Sequence, residues 1–296
     1  MPTYPLLQID AFTDRPLGGN PCAVVLDTDS MPDALMLAVA REMNLSETAF
    51  IRSSQVADFG ARFFTPAEEI PLAGHPTIAT AFALVTSGRL KLAQAYQSFS
   101  LELLHGPITV EIVSDAGQVK RIVMAQRKPQ FLARVDSARA AEAFGLSALD
   151  VLPGAPVQVV STGTPQLMVP LASLEALRRA HTNAEKYEAL RVQAGFFSPH
   201  LFCLEGATPA GQTFARHFGT PPDLMEDPFT GSATGGMGAY LWRYGLIDTP
   251  TFTAEQGHWM GRPGVGTVEV IGSREDIETV KVGGEAVLVV RGELVI

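Results

Sequence analysis

The sequence predicts an α+β protein made of two similar lobes, and three observations support this fold class. First, the pattern Glu-x-Pro-x-x-Gly-x-x-Thr occurs twice, at residues 69–77 and 226–234. Second, each copy follows an aromatic segment that contains an arginine, at 62–66 and 216–221, and precedes an apolar run of small residues. This order indicates a strand, a loop, a glycine turn and a helix. Third, 296 residues fit two units of about 150 residues, each large enough to bury a core.

The N-terminal lobe is predicted to begin with a hairpin. Residues 6–12 and 22–26 alternate as strands, and the segment between them is rich in turn residues. Helical periodicity behind a proline then predicts a helix over 33–43. Residues 45–51 are predicted to be extended, so Glu47 is expected on or beside a strand.

Each copy of the repeated motif is predicted to open a buried helix. Residues 77–86 carry apolar side chains on most sides, which indicates a helix enclosed by a sheet, and residues 234–244 show the same character. The remaining predicted elements are strands at 98–104, 108–112, 121–124, 201–205, 266–271 and 286–290, a strand and turn over 156–169, and helices at 137–144 and 174–181.

A linker-like Arg-Lys-Pro sequence at 127–129 marks the predicted boundary between the lobes. The N-terminal lobe is assigned to 1–127, with Glu47 and the first motif, and the C-terminal lobe to 128–284, with the second motif. Residues 285–296 form a final strand that can return to the N-terminal lobe.

Composition and charge exclude several classes of protein. The net charge of −9 comes from 22 basic and 31 acidic residues without charge blocks, so we expect small molecules rather than nucleic acid as partners. No apolar run approaches the roughly 18 residues of a membrane helix. Cys22 and Cys203 lack paired or metal-like spacing, which predicts neither disulfide nor metal site. With no basic leader in residues 1–13, we expect a cytoplasmic protein.

The repeated glycine turns indicate anion binding. A glycine that opens a helix leaves several backbone N–H groups and the positive end of the helix dipole directed at its surroundings. If the two halves face each other, both turns border one cleft that holds a small carboxylate. The alternative is that each turn only begins a capped helix, and two matched copies favour the binding interpretation.

Five side chains near these motifs are candidates for chemistry, and each has a structural alternative. Glu47 is a general-base candidate or a solvent-facing strand residue. His75 is able to bind a substrate or cap its own loop, and Asp227 is able to bind an amino or hydroxyl group or to favour the helix dipole. Ser232 aligns with His75, but no general base nearby in sequence makes it a nucleophile. Cys22 is a possible nucleophile or a small buried residue.

Five segments, in order along the chain, resemble the phenazine-biosynthesis PhzF-like family over nearly the whole sequence. The segments are 19–24 with Asn20-Pro21, 45–50 with Ser46-Glu47-Thr48, 64–77 with Gly74-His75-Pro76-Thr77, 226–233 with Glu226-Asp227-Pro228 and Gly231-Ser232, and 256–263 with Gln256-Gly257 and Gly261-Arg262-Pro263.

The resemblance implies the diaminopimelate-epimerase-like fold. In that fold, two pseudo-symmetric lobes each wrap a curled, barrel-like and mostly antiparallel sheet around a central helix, with the active site between them. It also implies that the protein needs no cofactor and forms a homodimer.

The resemblance assigns roles to residues of the matching segments. It implies that Glu47 is the general acid/base and that His75 and Asp227 orient polar groups of the substrate. The backbone around Gly74, Gly231 and Ser232 would hold a carboxylate. Asn20 and Ser46, from two other matching segments, complete the predicted substrate-binding set.

One departure from related enzymes narrows the expected chemistry. Epimerases and racemases that share this fold place a cysteine before the motif glycine in each lobe, whereas Ala73 and Thr230 occupy those positions here. We therefore expect a cofactor-independent isomerase that moves a proton within a small amino- or hydroxy-acid by means of Glu47. The alternatives are an epimerase or racemase with bases other than cysteine, and a non-catalytic small-molecule-binding protein.

Overall fold

The computed structural model describes residues 1–220 and 225–296, so Pro221, the last residue of the second aromatic segment, lies outside the described residues. The strands are β1 Thr3–Ala11, β2 Asn20–Val25, β3 Thr48–Arg52, β4 Phe59–Phe64, β5 Glu69–Ile70, β6 Tyr96–Leu103, β7 Gly106–Asp115, β8 Gln118–Ala125, β9 Gln130–Arg134, β10 Gln158–Ser161, β11 Pro165–Pro170, β12 Ser198–Cys203, β13 Thr213–Phe218, β14 Glu226–Asp227, β15 Thr251–Gln256, β16 Gly264–Gly272, β17 Ile277–Gly284 and β18 Ala286–Val295. The helices are α1 Asp33–Met43, α2 Gly74–Thr86, α3 Ser137–Ala143, α4 Leu174–Arg179, α5 Ala184–Ala194 and α6 Gly231–Arg243.

The chain divides into two compact units. The first comprises Met1–Ala125 and Gly283–Ile296, and the second comprises Gln126–Val282. In the part of the chain that the structure describes, no helix has the length and apolar character needed to cross a membrane.

The first unit encloses a central helix. Its strands pair in the order β18-β1-β2-β3-β4-β6-β7-β8, with β2–β3 and β4–β6 parallel and the other pairs antiparallel. Helix α2 packs against β1, β2, β3, β8 and β18, and ten of its thirteen residues are buried. Helix α1 lies against β3 and β4, where Met36, Phe50 and Phe64 share a smaller core.

The second unit repeats this plan. Its strands pair in the order β9-β10-β11-β12-β13-β15-β16, with β11–β12 and β13–β15 parallel and the other pairs antiparallel. Helix α6 packs against β10, β11 and β16. Helices α3, α4 and α5 contribute to a further core that includes Phe144, Tyr187 and Phe214.

Both units therefore share one arrangement. The series β1-β2-β3-β4-β6-β7 and β10-β11-β12-β13-β15-β16 have the same sequence of antiparallel and parallel pairs, and each encloses a helix that begins at a motif glycine. The predicted α+β fold of two pseudo-symmetric lobes is confirmed.

The glutamate that opens each motif has a structural role. Glu69 accepts hydrogen bonds from both Nε and Nη2 of Arg62, at 2.7 and 2.6 Å, and Glu226 does the same with Arg216, at 3.0 and 2.7 Å. Such two-point contacts between a guanidinium and a carboxylate are directional and strong. They fasten β5 to β4 and β14 to β13, directly before the central helices.

The predicted elements differ from the observed ones in two respects. Helices α2 and α6 begin three residues earlier than the apolar runs suggested, because their first residues are helical without adding to the apolar pattern. Helix α5 and strands β5, β9, β14, β15 and β17 were not predicted. In α5 only Tyr187 and Leu190 are buried, so its sequence lacks the apolar periodicity that marks a packed helix.

Candidate active site

The loop before Asn20 is held by a hydrogen bond to Asp10 and by the conformation of Gly19. The N–H of Leu17 donates to the carboxylate of Asp10 at 2.7 Å. Gly19 has a φ of +52°, and a Cβ at this position would lie 2.1 Å from the carbonyl oxygen of Ala11, so only glycine fits. Asn20 follows as the first residue of β2 and is fully buried.

Glu47 stands at the entrance of β3. Helix α1 ends at Asn44 in a left-handed conformation, and Ser46 is exposed in the short turn that follows. Because β2 and β3 are parallel, with Ala23 opposite Thr48, the starts of both strands lie at the same edge of the sheet. Asn20 and Glu47 therefore belong to the same edge.

The structure brings Glu47 and His75 together. His75 is the second residue of α2 and follows the buried Gly74. Its Nε2 lies 3.3 Å from Oε2 of Glu47, and the two side chains are 5% and 18% exposed. The solvent-facing alternative for Glu47 is therefore wrong. A carboxylate that is mostly withdrawn from water and paired with an imidazole has an environment suited to a general acid/base.

Cys22 lies behind this pair as a neutral thiol. It is fully buried in β2, and burial together with the charge of Glu47 raises the pKa of its thiol. A thiolate is the reactive form of cysteine, so the raised pKa disfavours Cys22 as a nucleophile. Cys203 is also buried and free.

In the second unit, a short loop places Asp227 before α6. The hydroxyl of Thr230 donates to Oδ2 of Asp227, and Nε2 of Gln256 donates to the carbonyl oxygen of Asp227 at 2.7 Å. Oε1 of the same amide accepts from the N–H of Thr230 at 3.2 Å. Gln256 therefore fixes both ends of this loop.

The first turn of α6 is held by three further polar side chains. Nε2 of Gln166 donates to Oγ of Ser232 at 3.2 Å, and Nε2 of Gln126 donates to the carbonyl oxygen of Gly231 at 2.8 Å. The hydroxyl of Thr162 contacts both Oε1 of Gln126 and the carbonyl oxygen of Ser232. Ser232 remains partly exposed.

The two central helices, like α1, lack the side-chain caps that α3, α4 and α5 possess. Asp136, Ser173 and Asn183 accept hydrogen bonds from the first turns of α3, α4 and α5. Ala73 and Thr230, at the same position of α2 and α6, make no side-chain cap, and neither first turn contains an acidic residue. Neither first turn therefore has a side-chain cap, an arrangement that is compatible with the predicted binding of an anion.

Sequence reasoning missed the glutamines that support α6. Gln256 stands in one of the segments that match the family, and Gly257 beside it has a φ of +80°, with its Cβ position 2.5 Å from the carbonyl oxygen of Pro228. This close approach explains the motif as a support for the Asp227 loop. Gln126 and Gln166 carry no comparable local signal, since they resemble ordinary polar residues of strands.

A metal centre has no candidate ligand set in the residues described. Within 1–220 and 225–296, no group of three or more His, Cys, Asp or Glu side chains is arranged to hold a metal ion.

Comparison with known proteins adds independent evidence. Residues 9–292 match the family described as "Phenazine biosynthesis-like protein". The chain is 35% identical to an uncharacterized isomerase, YfhB, of Bacillus subtilis, over 90% of both chains. It is 33% identical to the trans-2,3-dihydro-3-hydroxyanthranilate isomerase of Pseudomonas fluorescens, over 97% of this chain and 98% of that one.

Solved structures support the same relationship. A phenazine biosynthesis protein of the PhzF family from Bacillus anthracis has a TM-score of 0.88 and 33% identity over the full length of both chains. A hydroxyproline epimerase from Agrobacterium vitis, 12% identical, has a TM-score of 0.66 over 99% of this chain and 92% of that one, which shows the fold alone.

Fold, site and relatives define an isomerase with the diaminopimelate-epimerase-like architecture. The chain belongs to the phenazine biosynthesis-like, or PhzF-like, family.

Proposed function

We propose that the protein is a cofactor-independent isomerase that moves a proton within a small amino- or hydroxy-acid bearing a carboxylate. Glu47 is the general acid/base of this proposal. The observation that supports it best is the pairing of Glu47 with His75, 3.3 Å apart and largely withdrawn from water at the uncapped start of α2.

The proposed reaction is a proton shift along an allylic system. The carboxylate of Glu47 removes a proton from an acidic C–H, and the electron pair of that bond moves into the neighbouring C=C system. The carboxylic acid formed at Glu47 then returns the proton to the far carbon of the system. Atoms and charge balance without an oxidant or a second base, and a single carboxylate completes the cycle.

Three groups are proposed to bind the substrate. The N–H groups at Gly74 and at Gly231-Ser232 suit a carboxylate, because both helices begin without a side-chain cap. Asp227, held by Thr230 and Gln256, suits an amino or hydroxyl group. His75 orients Glu47 and a polar group of the substrate, and Asn20 and Ser46 complete the binding set.

The relative from Pseudomonas fluorescens suggests a first test compound. The name of its substrate, trans-2,3-dihydro-3-hydroxyanthranilate, describes a partly reduced ring that carries a carboxylate, an amino group and a hydroxyl group. The proposed binding groups of this chain have the chemistry to recognise each of these. We propose a carboxylate of this class as the substrate.

The test is turnover of trans-2,3-dihydro-3-hydroxyanthranilate in D₂O, followed by NMR. The wild type is expected to convert the compound and to place deuterium at the carbon that receives the proton. Glu47→Gln is expected to lower both rates about 10⁴-fold, because an amide neither accepts nor returns the proton. The matched control is Glu42→Gln, on the exposed side of α1, which should keep wild-type rates.

Thermal unfolding of each variant separates loss of chemistry from loss of folding. A correctly folded Glu47→Gln protein that keeps its activity would remove Glu47 from the mechanism. Deuterium uptake at an α-carbon with loss of optical rotation, and no other change, would instead establish epimerisation. Thermal stabilisation by ligands without any proton exchange would indicate a binding protein.

A further inference from the structure

Gln166 of β11 is a buried amide directed at Ser232. The side chain is 2% exposed, and its Nε2 donates to Oγ of Ser232 at 3.2 Å. Its Oε1 is buried and has no hydrogen-bond partner among the residues that the structure describes. We propose that Gln166 is a positioning residue that leaves the Ser232 hydroxyl free to donate to the substrate carboxylate. This inference rests on the proposed function.

The argument begins with the hydrogen-bonding capacity of a hydroxyl. A serine has one O–H donor and two lone pairs, whereas a carboxylate only accepts. When the amide N–H of Gln166 occupies a lone pair of Ser232, the O–H proton is not needed for that contact. It is then free to point toward an anion at the start of α6.

The peptide groups around Ser232 also favour a ligand that accepts hydrogen bonds. The carbonyl oxygen of Gly231 accepts from Gln126, and the carbonyl oxygen of Ser232 is contacted by the hydroxyl of Thr162 at 3.5 Å. The Gly231 carbonyl is thus engaged within the second unit, while the peptide N–H groups at the start of α6 remain as donors for a ligand. An anion is the complementary ligand for such a set.

The first unit shows that the fold itself does not require this amide. In the sheet of the second unit, Gln166 lies opposite Ser198, and in the first unit Cys22 precedes Ala23, which lies opposite Thr48. When the two sheets are aligned on the arginines of their Arg–Glu pairs, Cys22 occupies the position of Gln166. Leaving one end of a buried amide unpaired is costly, so the presence of Gln166 in an apolar strand calls for a function.

The test is the preference for anthranilate over 2-aminobenzamide, its neutral amide counterpart, measured by calorimetry. The wild type is expected to prefer the carboxylate. Gln166→Met should lower that preference about tenfold, as Ser232→Ala does, and the double variant should lose no more than either single variant. Gln158→Met, the same change at a buried glutamine of β10, should keep the preference.

Gln166→Glu adds a readout that a purely structural role would not produce. A protonated carboxylic acid at this position donates to Ser232 as the amide does, whereas the ionised carboxylate accepts the Ser232 proton and turns it inward. In the Gln166→Glu variant, the preference for anthranilate should therefore recover as the pH falls through the titration of the introduced carboxyl group, while the preference of the wild type stays constant.

Three results would overturn the inference. One is an unchanged preference in Gln166→Met, and another is additive losses in the double variant. A wild type with no preference for the carboxylate would overturn it as well, by removing the role of Ser232. The isotope test of Glu47 is independent of all three, so failure of this inference and failure of the proposed function are distinguishable.

Discussion

In the first unit, Glu47 and His75 meet where β3 and α2 begin; in the second, the same positions carry Ser198 and Ser232. The correspondence follows from strand register, because Phe50 lies opposite Arg62 and Leu201 lies opposite Arg216. Counting back from these pairs places Ser198 at the position of Glu47. The second unit therefore offers hydroxyl groups where the first offers a carboxylate and an imidazole.

The features that both units share are those that hold the motif in place. Both keep the two-point Arg–Glu contact, and the hydroxyls of Thr77 and Thr234 donate to the carbonyl oxygens of Ala73 and Thr230, at 2.7 and 2.9 Å. The supporting frame is thus duplicated, while the titratable pair occurs only in the first copy. Under the proposed function, this difference gives a division of labour in which acid–base chemistry falls to the first unit alone, while the second unit only binds.

The largest expected contrast comes from truncating the two aligned residues. His75→Ala should lower kcat about 10³-fold, because Glu47 loses the imidazole that orients it. Ser232→Ala should act mainly on KM, by about tenfold, because it removes one donor to the carboxylate. Steady-state kinetics on the compound turned over in the isotope test measures both. A similar fall in kcat for both variants would contradict the division of labour.

A second contrast concerns a buried imidazole pair that only the second unit has. Nδ1 of His200 lies 3.3 Å from Nδ1 of His217, and strand register puts Ala49 and Phe63 at these positions in the first unit. Burial lowers the pKa of both histidines, that of His217 from 6.5 to about 4, although the charge of Asp227 opposes this shift.

The sign of the pH effect follows from these lowered pKa values. Both histidines stay neutral when folded, but the unfolded chain takes up protons below pH 6.5, so stability should be lost as the pH falls from 6.5 toward 4. The expected loss is on the order of 3 kcal/mol from His217 alone. Replacing both, His200→Ala with His217→Phe, should flatten this dependence in urea unfolding at several pH values. An equally steep dependence in the variant would show that other groups cause it.

The smallest expected effect is that of Cys22→Ala. Its thiol is buried beside Glu47 with a raised pKa, so it does not act as a base, and activity should stay within about threefold of wild type. Thiol-directed alkylation of the folded protein should likewise leave activity intact. A loss comparable to that of His75→Ala would revive a cysteine-based racemase mechanism.

Much of the architecture was predictable because it depends on local rules. The repeated glycine turns, the buried helices that follow them and the division into short strands all leave marks in residue type and periodicity. Helix α5 escaped because it is mostly polar, with only two buried side chains. Strands β14 and β15 similarly form through their pairing with β13, and their own composition does not predict them.

The candidate site was predictable in membership but not in environment. Glu47 could be singled out through a matching segment, yet local pattern alone favoured a solvent-facing residue. Its partner His75 stands in another element, and only the packing of α2 against β3 joins them. Gln166 and Gln126 were missed because the residue type of a glutamine does not indicate whether its side chain is buried or exposed.

Motif spacing and residue type by themselves predicted a duplicated α+β chain with two glycine-led helices, and the resemblance to the PhzF-like family added the expectation of an isomerase. Folding established which carboxylate is shielded, which helices go uncapped and which hydroxyl receives an amide hydrogen bond. The reason is physical: glycine turns and apolar periodicity act over a few neighbouring residues. Burial and hydrogen bonding depend on groups that lie far apart in the chain until the sheet closes around its helix.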